Sequence, residues 1–229
     1  MSQLIEPNMN ENLVKIKPRS NYNIHHVLAR VVNKLICSFT LTDCEVLGEE
    51  HLEGIPKPYM LVANHNSNWD PLVLGAYFPD ILNFMVKEEL HDMPAFGAMS
   101  NLTGNIAVSR GETDIGAIKG ALALLKNGYN LALFPEGTRS EDGRIQEFKD
   151  GGVSIASKVK VPIVPVYIEG TYEILNKNSK IPRAGRVKIH ILEPNMKTCE
   201  DKKLSRDELH AINESIHKDL VSFENDLKA

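Results

Sequence analysis

Short apolar runs rich in β-branched residues recur from residue 44 to residue 192, and amphipathic stretches separate several of them. The runs that predict strands are Cys44–Leu47, Tyr59–Ala63, Leu82–Val86, Ile106–Val108, Asn130–Phe134, Ile163–Ile168 and Val187–Leu192. The patterns that predict helices between or after them are Pro71–Phe78, Thr113–Asn127, Gly151–Lys160 and Ser205–Leu227. Strands that alternate with helices are typical of layered α/β domains. We therefore predict an α/β fold with a mostly parallel, mixed sheet flanked by helices.

Two prolines interrupt one of the predicted strands, in the run Val161-Pro162-Ile163-Val164-Pro165-Val166. Proline has no backbone N–H and is disfavoured in a strand that is paired on both sides. The run therefore predicts an edge strand, or a rigid wall for the apolar part of a ligand. Taken alone, the segment is explained most simply by packing.

The segment before the first predicted strand is amphipathic and basic. Its apolar residues recur with helical spacing for about four turns: Ile24, Val27, Leu28, Val31, Val32, Leu35, Ile36 and Phe39. The opposite face carries His25, His26, Arg30, Asn33 and Lys34. From Asn12 to Thr42 the chain has basic residues and no acidic ones. We predict residues 1–42 as a lead-in with an N-terminal amphipathic helix, and residues 43–229 as the α/β domain with a C-terminal helix.

This N-terminal helix has two interpretations. It can pack its apolar stripe on the core and leave its polar face in water, which the segment alone favours. It can instead lie on an anionic lipid surface. No run of roughly 18 apolar residues occurs, so we expect no membrane-spanning helix, and the N-terminus does not have the pattern of a signal peptide.

The composition narrows the choice of partners and compartment. A net charge of -4 gives no general reason to expect nucleic acid binding. The 3 Cys residues form no C-x-x-C pair, so a reduced cytosolic setting fits better than a disulfide framework.

A histidine and an aspartate lie five residues apart in Asn64-His65-Asn66-Ser67-Asn68-Trp69-Asp70-Pro71. In one continuous helix the two side chains would be about 140° apart and could not meet. Pro71 disfavours helical geometry at Asp70 and is itself favoured at the first helical position. We therefore predict that Asp70 is an N-cap and that His65 lies in a loop that curls back towards it.

Such a pair can act as a base and its supporting carboxylate, because imidazole accepts protons near neutral pH. An isolated pattern of this length is more often a plain helix cap beside a loop histidine. A zinc site is less expected still, because no Cys or His nearby has matching ligand spacing.

A second polar turn, Phe134-Pro135-Glu136-Gly137-Thr138-Arg139-Ser140, directly follows another predicted strand. Open α/β sheets place their sites at the carboxyl ends of strands. Arg139 offers a planar fork of donors that suits phosphate. Arg110 and Lys149 could supply further cations. The simplest alternative is a surface turn with an exposed Glu–Arg pair, which would contribute little.

In this order and spacing, these stretches resemble the 1-acyl-glycerol-3-phosphate acyltransferases, the PlsC-like glycerolipid acyltransferases, over roughly residues 44–194. The specific parts are N-H-x-S-x-x-D at Asn64–Asp70 and F-P-E-G-T-R-S at Phe134–Ser140. The proline block at Val161–Val166 matches well, and the match at Gly104–Arg110 is looser.

The resemblance implies an acyl group moved from acyl-CoA or acyl carrier protein to the sn-2 hydroxyl of 1-acyl-sn-glycerol 3-phosphate, giving phosphatidic acid. His65 would be the general base and Asp70 its support, with no cofactor beyond the thioester co-substrate and no metal. The implied glycerol-phosphate site is Arg110, Glu136, Gly137, Thr138, Arg139 and Lys149. The implied acyl or donor wall is Val161, Pro162, Ile163 and Pro165.

Several alternatives stay open at this point. The acceptor could be another lysophospholipid or glycerol 3-phosphate; the pair could activate water as a thioesterase; or the chain could be a non-catalytic lipid-binding module. A lysophospholipid acceptor keeps its tail in a bilayer, at about 0.8 kcal/mol per buried methylene. Many relatives carry a membrane-spanning helix, which we do not expect here. We therefore expect a cytoplasmic enzyme, peripheral on the inner face of the membrane and docked on anionic lipid by the N-terminal helix.

Overall fold

A mixed sheet forms the centre of the computed structural model, which describes residues 24–87, 105–108 and 115–229. Its strands within these ranges are β1 (Leu41–Leu47), β2 (Met60–Ala63), β3 (Asn83–Lys87), β4 (Ile106–Val108), β5 (Leu131–Leu133), β6 (Ile163–Glu169) and β7 (Gly185–Ile191). They are arranged in the order β1-β7-β6-β2-β5-β3-β4. All neighbours are parallel except β6 and β7. The predicted α/β fold and each predicted strand are confirmed.

Helices cover both faces of the sheet. They are α1 (Ile24–Ser38), α2 (Asp70–Tyr77), α3 (Ile115–Lys126), α4 (Gly151–Val159), α5 (Thr171–Ile174) and α6 (Arg206–Lys228). Short 3₁₀ turns occupy Glu49–Leu52 and Lys197–Cys199. Helix α6 begins with the expected capping box, in which Ser205 and Glu208 each accept the other's backbone N–H.

Strand β2 shows why the core has two layers. Leu61 and Ala63 pack in one apolar cluster with side chains of α2, whereas Met60 and Val62 pack in a second cluster with α3, α4 and α6. Successive side chains of a strand point to opposite faces, so a run that is apolar at every position requires cover on both sides. Burial of the larger of these side chains, Met60, Leu61 and Val62, stabilises the fold by about 1.5–3 kcal/mol each.

The strand that carries the two prolines is central, so the expectation of an edge strand was wrong. β6 pairs with β2 on one side and with β7 on the other. On the β7 side the register changes from Val166 opposite Ile191 to Ile163 opposite Asn195, which inserts one extra residue in the partner segment. Pro165 lies at this bulge, where the regular ladder is interrupted and no backbone N–H is needed from this residue.

Helix α1 turns its polar face to the protein, the reverse of the simpler interpretation. Arg30 Nη2 donates to the carbonyls of Phe78 at 2.7 Å and Asp80 at 3.1 Å, beyond the end of α2. Asn33 packs so closely on Gly75 that a Cβ there would lie 2.5 Å from its amide nitrogen.

The α1 apolar face, defined here by its exposed side chains, points to solvent: Ile24, Val27, Leu28, Val31, Leu35, Ile36 and Phe39. Ile24 is 69% exposed and Phe39, one residue past the helix end, is 87% exposed. Several large apolar side chains together on the surface mark an interaction site. None of the helices in the described ranges combines the length and apolar composition that crossing a bilayer requires.

Candidate active site

His65 and Asp70 meet at the carboxyl end of β2. Nδ1 of His65 lies 2.9 Å from Oδ2 of Asp70. The chain leaves β2 at Ala63 and curls before α2 begins, which brings the two side chains together as the spacing argument required. With Asp70 ionised, Nδ1 carries the proton that it donates to the carboxylate, and Nε2 keeps a lone pair. The arrangement orients the imidazole as a base.

Asp70 is fully buried, and several donors surround its carboxylate. Oδ2 accepts the backbone N–H groups of Asn66 and Ser67, each at 2.8 Å, besides the bond from His65. Oδ1 accepts the hydroxyl of Thr171 at 2.5 Å. Burial disfavours a charged carboxylate unless donors satisfy it, so this set of hydrogen bonds offsets the cost of burying Asp70.

The N-cap role predicted for Asp70 was wrong. Trp69 occupies the N-cap position, with φ -76° and ψ -22°, and Asp70 is the first residue of α2. The Asp70 carboxylate points back to the loop, because the curl turns the N–H groups of Asn66 and Ser67 towards it. Pro71 lies in the first turn, where its missing N–H costs nothing.

An aromatic ring packs on the face of the His65 side chain. Its ring stacks on Phe134, with centroids 4.2 Å apart and planes 18° apart. The His65 carbonyl accepts the N–H of Ser140 at 2.7 Å. The turn after β5 therefore packs directly against the loop after β2, and the two motifs form one site.

Glu136, predicted as part of the glycerol-phosphate site, is buried against the His65 loop. It is 4% exposed, and its Oε1 accepts the backbone N–H of His65 at 2.7 Å. Its Oε2 accepts the N–H of Gln146 at 3.2 Å. Burial raises the pKa of Glu136 to about 7, against the opposing effect of these two hydrogen bonds. Its carboxylate braces the backbone of the proposed base, a role the sequence did not indicate.

Other residues of the Asn64–Asp70 stretch fix the loop. The Asn64 amide pairs with the backbone of Ile168, donating to its carbonyl at 3.0 Å and accepting its N–H at 2.7 Å. Ser67 Oγ donates to the Leu175 carbonyl at 2.6 Å. Trp69 Nε1 donates to Thr40 Oγ1 at 2.7 Å, which links the loop to the end of α1.

Two predicted cationic groups lie around the turn after β5. Arg139 is partly buried and Lys149 is exposed. Gly137 has φ +73°, and a Cβ there would lie 2.6 Å from Lys149 Nζ, so the lysine covers this turn. Gly137 and Thr138 are exposed. Arg110, the third predicted cation, lies outside the described residues.

The residues of the predicted acyl or donor wall are not brought to the site. Val161, Pro162, Ile163 and Pro165 are all buried. Ile163 pairs with Met60 at the start of β2, whereas His65 follows the end of that parallel strand. A cleft of about 370 Å³ does adjoin the residue after His65, but its lining includes Asn66, Gly170 and Arg186 and none of the four.

Thr171 is the residue of this site that sequence reasoning missed. It follows β6 and Gly170, and the only signal in the sequence was a Gly-Thr pair directly after an apolar strand. Within the described ranges, no group of three or more His, Cys, Asp or Glu side chains is placed to hold a metal ion.

Comparisons with known proteins show which family this chain belongs to. The model of the Acyltransferase family matches residues 44–169. A chloroplastic 1-acyl-sn-glycerol-3-phosphate acyltransferase of Brassica napus is 32% identical over 183 residues, which cover 77% of this chain and 52% of the relative. The 1-acyl-sn-glycerol-3-phosphate acyltransferase of Saccharomyces cerevisiae is 31% identical over 78% of this chain and 59% of its own length. The chain thus spans about half the length of the curated relatives it matches.

A solved structure extends the similarity to the whole fold. The crystal structure of the 1-acyl-sn-glycerophosphate acyltransferase PlsC from Thermotoga maritima superimposes with a TM-score of 0.73 at 29% identity. The match covers 89% of this chain and 80% of that one.

Proposed function

Because this chain belongs to the Acyltransferase family, whose model matches residues 44–169, we propose that it moves a fatty acyl group from a thioester to the sn-2 hydroxyl of 1-acyl-sn-glycerol 3-phosphate. The donor is acyl-CoA or acyl carrier protein, and the product is phosphatidic acid. The relatives named above as 1-acyl-sn-glycerol-3-phosphate acyltransferases support this acceptor. The observation that carries the proposal is the 2.9 Å contact between His65 Nδ1 and Asp70 Oδ2.

The chemistry follows from the free ring nitrogen. Nε2 of His65 takes the proton of the acceptor hydroxyl as its oxygen attacks the thioester carbonyl carbon. The tetrahedral intermediate then collapses with cleavage of the C–S bond, and the leaving thiolate takes the proton back from the imidazolium. Asp70 stabilises the imidazolium in between. A positioned base of this kind accelerates such a step by about 10² to 10⁴-fold.

The turn after β5 offers a binding site for the acceptor phosphate. Arg139 and Lys149 have no ion-pair partner among the residues that the structure describes. Arg139 can bind a phosphate through two parallel hydrogen bonds, and Lys149 adds a point charge. Because the neighbouring turn contacts the His65 loop directly, a phosphate held there would keep the glycerol hydroxyl near the base. Arg110 is proposed as a further ligand on the resemblance alone.

We further propose that α1 docks the enzyme on a membrane surface as a peripheral protein. The α1 apolar face is exposed, while Arg30 is engaged with backbone carbonyls and Lys34 lies 5.6 Å from the Tyr77 ring centroid. A helix in this orientation can insert its apolar face in the acyl boundary of a bilayer. The basic residues that would favour anionic lipid, Lys15, Lys17 and Arg19, lie outside the described residues.

The decisive experiment offers labelled acyl-CoA or acyl carrier protein to the purified protein with a panel of acceptors in mixed micelles. We expect transfer to 1-acyl-sn-glycerol 3-phosphate to exceed transfer to glycerol 3-phosphate and to lysophospholipids with larger headgroups. No transfer to the phosphomonoester would overturn the proposed acceptor.

The His65→Ala variant tests the base. We expect acyl transfer to fall by about 10² to 10⁴-fold while the variant keeps its circular dichroism spectrum. Unchanged transfer would remove His65 from the mechanism. Free fatty acid released at the same rate with and without acceptor would assign the protein to the thioesterases instead.

A further inference from the structure

We propose that Thr171 is a positioning residue of the His65–Asp70 pair: its hydroxyl holds the Asp70 carboxylate in the orientation that faces the imidazole. Thr171 acts through Asp70 and has no assigned contact with substrate. The kinetic part of this inference rests on the acyl-transfer function proposed above. The hydrogen-bond geometry on which it is based does not.

The contact between the two side chains is buried and specific. Thr171 Oγ1 donates to Asp70 Oδ1 at 2.5 Å, and both residues are 0% exposed. The other described partners of the carboxylate bond to Oδ2. Among the described residues, the Thr171 hydroxyl is thus the group that donates to Oδ1. Its removal would leave this buried oxygen without that hydrogen bond.

The backbone around Thr171 fixes the direction of its hydroxyl. Gly170, which directly follows β6, has φ +92°, and a Cβ there would lie 2.1 Å from the Arg186 carbonyl oxygen. Only glycine fits this turn. Ile168 lies two residues before Gly170. The backbone N–H and carbonyl of Ile168 both bond to the side-chain amide of Asn64. The end of β6 is thus held in register with the chain segment that leads to His65.

The expected consequence concerns the proton balance of the pair. A hydrogen bond to an ionised group is stronger than one to a neutral group, and a buried carboxylate that loses a donor binds a proton more readily. Without the Thr171 hydroxyl, the pair would hold a proton at higher pH, and His65 would be less available as a base. The other buried carboxyl that senses Asp70 is Glu136, whose pKa is raised first by burial and in smaller part by the Asp70 charge.

The test compares Thr171→Val, which keeps the side-chain shape, with Thr171→Ser, which keeps the hydroxyl. For the valine variant we expect kcat to fall about tenfold and the acidic limb of the kcat/KM profile to move up by about one pH unit. We expect KM for the acceptor to stay within about twofold, and the serine variant to restore both kcat and the profile.

Thr198 supplies a matched control, because it is also buried and donates its hydroxyl to the Val161 carbonyl at 2.7 Å, remote from the pair. Thr198→Val should lower the melting temperature without moving the pH profile. If Thr171→Val and Thr198→Val changed only stability and left the profile as in the wild type, Thr171 would be merely structural and the inference overturned.

A second readout separates this inference from the proposed function. The midpoint of the His65 imidazole titration can be followed by NMR, with His65→Ala to assign the signal. We expect the midpoint to rise in Thr171→Val and to return in Thr171→Ser. If the wild type transferred no acyl group, the proposed function would be wrong, and this titration alone would decide the role of Thr171. Equal midpoints in wild type and Thr171→Val would overturn the role of Thr171.

Discussion

The carboxylate of Glu136 holds the main chain of His65, through a 2.7 Å hydrogen bond from the His65 N–H to Oε1. A residue of the F-P-E-G-T-R-S turn thereby supports the proposed base of the N-H-x-S-x-x-D stretch. The two motifs are therefore connected by a backbone contact before any substrate binds.

The first prediction concerns the kinetic role of this brace. Glu136→Gln replaces one acceptor oxygen by an amide donor that cannot pair with an N–H group, so the His65 loop should shift. We expect kcat to fall about tenfold while KM for the acceptor changes less than about twofold. Glu208→Gln is the control, because Glu208 also accepts a backbone N–H, from Ser205 at 2.8 Å, but at the start of α6. Equal losses of activity in both variants would contradict a local role for Glu136.

The second prediction concerns stability and pH. Burial raises the pKa of Glu136 from 4.5 to about 7 in the folded protein, so the folded chain binds more protons than the unfolded one between these values. Its contribution to the free energy of unfolding is then full below pH 4.5 and is lost as the pH rises through about 7, by roughly 3 kcal/mol at most. Urea unfolding at several pH values should show that wild type loses stability relative to Glu136→Gln over this interval. A constant difference would contradict the raised pKa.

The third prediction concerns the acceptor phosphate. Arg139→Ala should raise KM for the phosphomonoester acceptor by about tenfold or more with a small change in kcat, because the lost contact binds ground state and transition state alike. Arg139→Lys should recover only part of the loss, since lysine cannot make the paired hydrogen bonds. Steady-state kinetics with one acceptor that carries the phosphate and one that lacks it will check this. An equal effect on a phosphate-free acceptor would count against the assignment.

The fourth prediction concerns the turn that Lys149 covers. Gly137→Ala places a methyl group where Lys149 Nζ lies and forces φ +73° on an L-residue. We expect a loss of about 1 kcal/mol or more in the free energy of unfolding, together with weaker acceptor binding. Gly151→Ala is the matched control, because a Cβ there meets nothing within 4 Å and the site is at the start of α4. That variant should be neutral or slightly more stable.

The fifth prediction concerns the α1 apolar face. Leu28→Asp puts a charge on its centre, and we expect vesicle sedimentation of the full chain to fall by about tenfold or more. Ala211→Asp adds the same charge at an exposed position of α6 and should leave binding unchanged. Equal binding of both variants to vesicles would refute docking by this face. Vesicles with and without anionic lipid will separate the apolar contribution from the basic lead-in.

Periodicity predicted the layers of this fold well, because a strand or helix pattern depends on neighbouring residues alone. The run Met60–Ala63 is apolar throughout and is covered on both faces. Periodicity also grouped the α1 apolar face correctly. It could not predict which side of α1 faces the protein, because that depends on the residues packed against the helix. Arg30 donates to the Phe78 carbonyl beyond the end of α2, and Asn33 packs on Gly75 within α2.

The site was predictable only in its local part. The five-residue separation and Pro71 indicated that His65 and Asp70 could meet in a curled loop, and they do. Thr171 is 101 residues from Asp70 in the chain, and no local pattern indicates such a contact. The proline rule failed at Pro165 for the same reason, because the bulge that accommodates it is formed by the segment after β7.

The pairing of Asn64 with Ile168 has a consequence for how this protein loses structure and activity on heating. The loop that carries His65 cannot open unless the amide of Asn64 releases both backbone groups of a central strand. Opening the loop therefore breaks two buried hydrogen bonds to the end of β6, and we expect the amide hydrogen of Ile168 to exchange with solvent as slowly as those of the central strands. Heat should then remove catalysis and structure in one cooperative transition, with no range of temperature in which a folded but inactive form accumulates.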